Sequence, residues 1–391
     1  MDNRDAQATV AAGWNGLRQP EPSLPGRFYY DPAHHALELE RIWYRHWLYV
    51  CRTDAIAEPR AFRIFEIGAQ QILVLRDEEG EIRAFHNTCR HRGAQLCREE
   101  AGTLGRRITC PYHAWAYDLK GALVGVPTYG RKIPVDPAAY GLYPVKVQLW
   151  GGFVFVSLAE GDAPPLFPFF DEDQNRLANW PLDQLVVAHS YTRIVESNWK
   201  IIWENYSECL HCPGVHPGLS RIVPIYGRGI LAERDDPEWQ SHANSTDPKF
   251  KGGLRDGAET WSMDGKSTGH DFPTLDESDR HIGVAYVTTL PSMYIAAHVD
   301  YARSVRLRPL GPTRTELFTE WLLPRETLAD PAFDLQNIVQ FGREFMAEDA
   351  DVCELNQRGI ASIRHEHGML MPEEYHVLRL HDWLRAALHQ G

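Results

Sequence analysis

From Asn198 to Pro217 the chain reads NWKIIWENYSECLHCPGVHP, a stretch dense in groups that bind cations. No Gly or Pro interrupts it before Pro213-Gly214, so it reads as a helix that runs through Cys212 and breaks at Pro213. On such a helix Glu204, Glu208 and His211 fall at i, i+4 and i+7, on one face. A Pro-Gly turn then folds His216, five residues beyond His211, back beside the last helical turn. Two histidines and a carboxylate on one side of a cation, with the other positions open, are the donor set of non-haem Fe(II) oxygen chemistry. The competing reading is an amphipathic core helix, which would have to bury two glutamates and a histidine without a partner.

A second constellation lies upstream: Cys89-Arg-His91, eighteen intervening residues, then Cys110-Pro-Tyr-His113. Structural zinc usually takes both cysteines before both histidines. Here each half is mixed, in the same order, so each loop gives one ligand to each of two irons. That is the requirement of a Rieske [2Fe–2S] cluster, in which two thiolates hold one iron and two imidazoles the other. Cys97 belongs to neither pattern and is expected as a buried thiol. Cys209 and Cys212 flank His211 as Cys-x-x-Cys with no second pair downstream, and on a helix they are expected to be two packing thiols.

The segments HNTCRHRGAQL and TCPYHAWAYDLKGAL resemble the cluster-binding loops of Rieske non-haem iron oxygenase α subunits, and ENYSECLHCPGVHP resembles their mononuclear iron motif. The resemblance covers nearly the whole chain. It implies a [2Fe–2S] cluster on Cys89, His91, Cys110 and His113, and Fe(II) on His211, His216 and a later carboxylate. In the family an acidic pair precedes a Glu and then Gln-Arg-Gly, which selects Asp349; helix geometry alone leaves Glu348 open beside it. The resemblance assigns the bridge between the two metal centres to Glu208 and leaves Glu204 to hold the helix or Glu208 in place. Glu rather than Asp at the bridge resembles the branch acting on quaternary ammonium compounds such as glycine betaine, carnitine, choline and stachydrine. It further implies a homotrimer in which Glu208 is served by the neighbouring chain's cluster.

These residues need elements to position them. Residues 1–45 read as a loose arm, to about residue 26, followed by a helix. Short β-rich runs (AFRIFEIG, QQILVLRD, EIRAFHN) separated by turns define an all-β unit at 46–160. The run from Glu160 to Pro168 is the linker. Residues 161–391 form the catalytic unit, an antiparallel sheet flanked by helices, for which the resemblance implies a helix-grip, START-like arrangement. The fold class is thus α+β. Within that unit 233–281 is polar, a lid or mobile segment that Trp261, Phe272 and Leu275 could dock. The β-rich stretch after His281 places Tyr286, Tyr294, Tyr301, Phe318 and Trp321 where a pocket could use them. In the last helix Ile338, Phe341, Phe345, Val352 and Leu355 define a buried face, Glu348 and Asp349 flank it, and Asp351 points away.

Composition narrows the function. The net charge of -13 argues against nucleic acid and anionic membrane surfaces. The N-terminus has no apolar core behind basic residues, no apolar run spans a bilayer, and seven cysteines clustered beside histidines suggest metal chemistry in a reducing compartment. A cytoplasmic protein is expected. No Gly-x-Gly-x-x-Gly follows a strand, so NAD(P)H and flavin act only through a separate ferredoxin-type flavin/[2Fe–2S] reductase, with O2 as co-substrate. The expectation is a monooxygenase that hydroxylates or N-demethylates a quaternary amine, a cation suited to an aromatic cage, which 12 Trp and 16 Tyr permit. An aromatic-ring oxygenase and an electron carrier lacking the second iron are the alternatives.

Overall fold

The computed structural model describes residues 13–128, 135–167 and 175–389; the first twelve residues of the expected N-terminal arm and Pro168 of the linker lie outside them. The first unit is a seven-stranded antiparallel sheet, in spatial order Leu48–Arg52, Phe153–Ser157, Pro144–Trp150, Ile82–His86, Gln70–Arg76, Ala61–Ile67 and Ala101–Thr103. A three-stranded sheet (Ile108–Thr109, Ala116–Tyr117, Leu123–Gly125) shares an apolar cluster with it; the Cys89–His91 loop follows strand Ile82–His86, and the Cys110–His113 loop joins Ile108–Thr109 to Ala116–Tyr117. The second unit is a five-stranded antiparallel sheet in the order Val186–Val195, Arg314–Leu323, Ala302–Gly311, Met293–His298, Val284–Thr289.

Alternation gives that sheet two faces with different duties. Register pairs Tyr286 with Ala296, Ala296 with Arg303, and Arg303 with Trp321, so these side chains share one face. The helix Leu335–Ile360 covers that face, capped by the Asp334 carboxylate accepting from Gln336 N. It packs so closely that a Cβ on Gly342 would lie 2.8 Å from the Trp321 ring. The opposite face, with Met293, Ile295 and Leu322, joins Tyr49, Phe153 and Phe155 of the first unit in one apolar cluster. Tyr49 Oη donates to Glu320 Oε2 at 2.5 Å and Arg306 Nη1 to Val50 O at 2.7 Å across the same boundary.

Two expectations about the elements are corrected. Residues 21–25 are not loose: they form a strand paired antiparallel with His367–Leu370. In the long helix Ile338, Phe341 and Phe345 are buried, but Leu355 is 61% exposed and Val352 half-buried. A 3.6-residue period carries the buried stripe on through Cys353, Gln357 and Ile360, with Asp349 within it between Phe345 and Cys353.

Candidate metal centres

The cluster loops are two copies of one turn. In the first, Gly93 N donates to Cys89 O at 2.9 Å; in the second, Ala114 N donates to Cys110 O at 3.0 Å. The fifth residue of each has positive φ, +76° at Gly93 and +56° at Ala114. Glycine takes that conformation freely, whereas alanine there is strained, as backbones at functional sites often are. The paired turns bury Cys89 and Cys110 and leave His91 and His113 outward, with their Nδ1 atoms 3.2 Å apart. His91 stacks on Trp115 and His113 on Tyr112, which fixes both rings. Tyr117 Oη accepts from Arg90 N at 3.0 Å and lies 3.3 Å from Cys89 Sγ, placed to donate to a thiolate. Burial, then the neighbouring Cys110, push the Cys89 thiol up. Two buried sulfurs beside two imidazoles fit a cationic di-iron group, whose binding would displace the thiols' protons. Cys97 is buried and its thiol is pushed up to about 11 by that burial.

The second centre corrects the expected continuous helix. The helix Trp199–Tyr206 stops at Ser207, whose Oγ donates back to Trp203 O at 2.6 Å. The Glu208 carboxylate then takes the N–H groups of Leu210 and His211, which a continuing helix would have used itself. Pro213 does not end a helix; it sits in the first turn of a new one, Cys212–Val215, where its missing N–H costs nothing. Cys209 and Cys212 are likewise not two packing thiols. With the chain turning between them, their Cα atoms lie 5.0 Å apart and the sulfurs form a disulfide. Cys212 Sγ is 3.8 Å from His211 Nε2 but, bonded in this way, offers no thiolate.

His211 and His216 nonetheless converge. His211 Nδ1–H donates to Glu208 Oε1 at 2.6 Å, and His216 Nδ1–H to Glu348 Oε2 at 2.8 Å. Carboxylates accept only, so both rings are held in the tautomer that frees Nε2. Those Nε2 atoms are 3.2 Å apart, and Asp349 Oδ1 lies 2.9 Å from that of His216 and 3.4 Å from that of His211. Donors about 2.1 Å from one octahedral cation are separated by about 3 Å, so the three atoms fit a single ion. Burial works against a charged His211, but hydrogen bonds to Asp349 and Glu208 outweigh it and lift its pKa to about 9. Burial would likewise favour neutral Asp349, yet the two imidazoles hold it below the usual carboxylate range. The geometry thus separates the two acids that helix periodicity left open: Asp349 meets the free nitrogens and Glu348 the far side of His216. Asp351 is exposed and pairs with Arg193.

Glu204 accepts from Tyr29 Oη at 2.6 Å and His381 Nε2 at 2.9 Å, contacts that hold the helix; no hydrogen bond links it to Glu208 among the described residues. A cavity of about 370 Å³ opens beside the triad. Of the five aromatics expected near a pocket, Tyr286 and Tyr294 line it. Phe318 falls on the other sheet face, Trp321 packs on Gly342, and Tyr301 donates to Trp261 O in the core. Trp261 itself lines the cavity, while Phe272 and Leu275 are buried against the sheet's far face. Trp203, Tyr206, Tyr226 and Arg303 also line it and were missed. For Arg303 a signal existed: in YARSVRLRPL a period of two puts it with Val305 and Leu307, a charge on an apolar face.

Residues 46–142 match the Rieske [2Fe-2S] domain, and residues 182–390 match the ring hydroxylating alpha subunit (catalytic domain). The chain is 32% identical to the glycine betaine monooxygenase oxygenase subunit of Chromohalobacter salexigens, covering 97% of this chain and 88% of that one. It is 28% identical to the chloroplastic choline monooxygenase of Spinacia oleracea, over 93% and 78% of the two chains. The solved structure of the quaternary ammonium Rieske monooxygenase CntA with L-carnitine shares the fold at TM-score 0.69 and 22% identity, covering 95% of this chain and 97% of that one. With both domains matched in order along a relative of nearly equal length, the chain belongs to the Rieske non-haem iron oxygenase α subunits and is an oxidoreductase.

Proposed function

We propose that this chain is the terminal oxygenase of a monooxygenase acting on a quaternary ammonium compound, by N-demethylation or C-hydroxylation. The observation that carries the reading is the wall of the cavity beside the His211, His216 and Asp349 donors. Tyr206 stacks on Tyr294 at 4.0 Å, Trp203 meets both edge-on, and Trp261 stands against Tyr226 and Tyr286 at 6.1 and 6.4 Å. Burial pushes the Tyr206, Tyr286 and Tyr294 hydroxyls up, so the wall is neutral at physiological pH. Neutral aromatic faces on this side of the cavity attract a cation that donates no hydrogen bonds, which describes a trimethylammonium group. The names of the glycine betaine and choline relatives support the same substrate class.

Cys89, His91, Cys110 and His113 would hold the [2Fe–2S] cluster, and His211, His216 and Asp349 the Fe(II). When bound, these groups supply single electrons and O2 activation, the electrons entering from a separate ferredoxin-type reductase that draws on NAD(P)H. The protein's own part is to orient. Glu208 and Glu348 fix the imidazoles, and the aromatic wall presents the substrate carbon while excluding water. The outward position of His91 and His113 suits a surface that meets another chain, and we assign Glu208 to the bridge in a homotrimer. We divide the chain at 45 and 160, where the first sheet begins and its last strand has ended. The test is oxygen consumption and formaldehyde release with such a reductase across betaines, choline and aromatic acids. Turnover restricted to aromatic acids would replace this reading with ring hydroxylation.

A further inference from the structure

Arg303 is a buried cation whose guanidinium meets no hydrogen-bond acceptor among the described residues. The residue is 4% exposed and lines the cavity beside the triad. The guanidinium carbon lies 4.5 Å over the Phe345 ring, so stacking occupies one face of the group. The in-plane Nε and Nη1 hydrogens meet no partner. Two other arginines placed deep in the fold also leave Nε without a partner, but their terminal nitrogens find acceptors. Arg52 donates to the carbonyls of Gly151, Leu182 and Leu185, and Arg306 to Val50 O and Glu316. A guanidinium stays charged at any physiological pH, and leaving its hydrogens unpaired in a dry site is costly. An anion is the missing partner, and the cavity is where it would arrive.

Position specifies which anion. Phe345, which carries Arg303 on its face, also lies edge-on to the His216 ring with centroids 6.4 Å apart. The guanidinium and the metal donors therefore flank one ring, within reach of the two ends of one small molecule. We propose that Arg303 binds the carboxylate of the substrate, so that the substrate is a quaternary ammonium carboxylate, a betaine-class zwitterion, rather than an amino alcohol. This rests on the quaternary ammonium reading above and sharpens it. An amino-alcohol cation would leave the guanidinium unpaired and add a second positive charge to the same cavity. A betaine brings its own counter-ion to the guanidinium and lays its ammonium on the aromatic wall.

The test is anaerobic calorimetric binding to the iron-loaded enzyme with its cluster oxidised. The probes are glycine betaine, its methyl ester and choline, which carry the same trimethylammonium group and differ in the carboxylate. Glycine betaine is expected to bind at least about a hundredfold tighter than the other two, the usual loss when one partner of a buried charge pair is removed. Arg303→Met is expected to abolish that advantage without weakening choline. Because it removes an unpaired charge, it should leave the ligand-free melting temperature undiminished, with cluster absorption and iron content as controls. Arg303→Lys should keep part of the preference, since it retains the charge but not the fork. Equal binding of glycine betaine and its ester by the unaltered enzyme, or an undiminished preference in Arg303→Met, overturns the anchor while the quaternary ammonium reading stands. Failure of all three ligands to bind the unaltered enzyme overturns that reading and the anchor with it.

Discussion

Replacing Glu208 with glutamine tests the mononuclear site through a residue that would not touch its metal. The Glu208 carboxylate accepts on both oxygens: Oε1 from His211 Nδ1–H at 2.6 Å, Oε2 from the N–H groups of Leu210 and His211. All of these partners are donors. A glutamine amide of the same shape has one accepting oxygen and must point its NH2 group at a donor. Either the His211 ring or the turn that delivers it loses its acceptor. An unmet donor costs about 1–3 kcal/mol. The side chains of Glu208 and His211 are 12% and 17% exposed, so water offers little relief. At about 1.4 kcal/mol per tenfold, iron affinity should fall by roughly tenfold to a hundredfold. Competitive chelator titration of Glu208→Gln measures this, and an affinity unchanged within twofold would refute the reasoning. At saturating iron the same variant probes the proposed bridge. Single-turnover reoxidation of the pre-reduced cluster, with O2 and substrate present, should slow by orders of magnitude in Glu208→Gln and far less in Glu204→Gln. Normal reoxidation leaves Glu208 as a support for His211 alone.

Asp349→Ala should lose about one iron per chain and all turnover while keeping the cluster spectrum, whereas Asp351→Ala should retain both; the reverse pattern would dismantle the triad. His113→Ala should lose the Rieske-type EPR signal, and an unchanged signal would show that the loop ligands are misassigned. In iron-free protein His211 carries a pKa of about 9 against an ordinary 6.5. Its contribution to stability is therefore full below pH 6.5 and lost as the pH rises through 9. Melting temperature should fall across that interval without iron and show no such extra fall with it, where the metal replaces the proton. Lys200 and Glu38, both fully buried 2.6 Å apart, hold the helix that leads to the site. Lys200→Met should cost about 3–5 kcal/mol by stranding the carboxylate. Chemical denaturation reads this, and a double change with Glu38→Leu should recover most of the loss.

The Cys/His and His/His pairs were legible in the chain because each pair is local. Cys89 with His91, Cys110 with His113, and His211 with His216 are brought together by turns of a few residues, whose Gly and Pro stand in adjacent positions. Buried helix and strand periods placed the two units in order for the same reason. The helix end at Ser207 was not legible, because it depends on a carboxylate competing for N–H groups that a helix would otherwise bond. The choice between Glu348 and Asp349 was also not settled by period. Both lie near the buried stripe, and only docking of the long helix across the sheet decides which oxygen meets the free nitrogens. The cavity wall is wholly a tertiary matter. Trp203, Tyr226, Trp261, Tyr294 and Arg303 come from five separate stretches of chain, and strand register selects which side chain of each pair faces inward. Sequence carries ligand identity through short-range spacing; what those ligands face is set by long-range packing, in which a one-residue shift of register would turn Arg303 away from the cavity altogether.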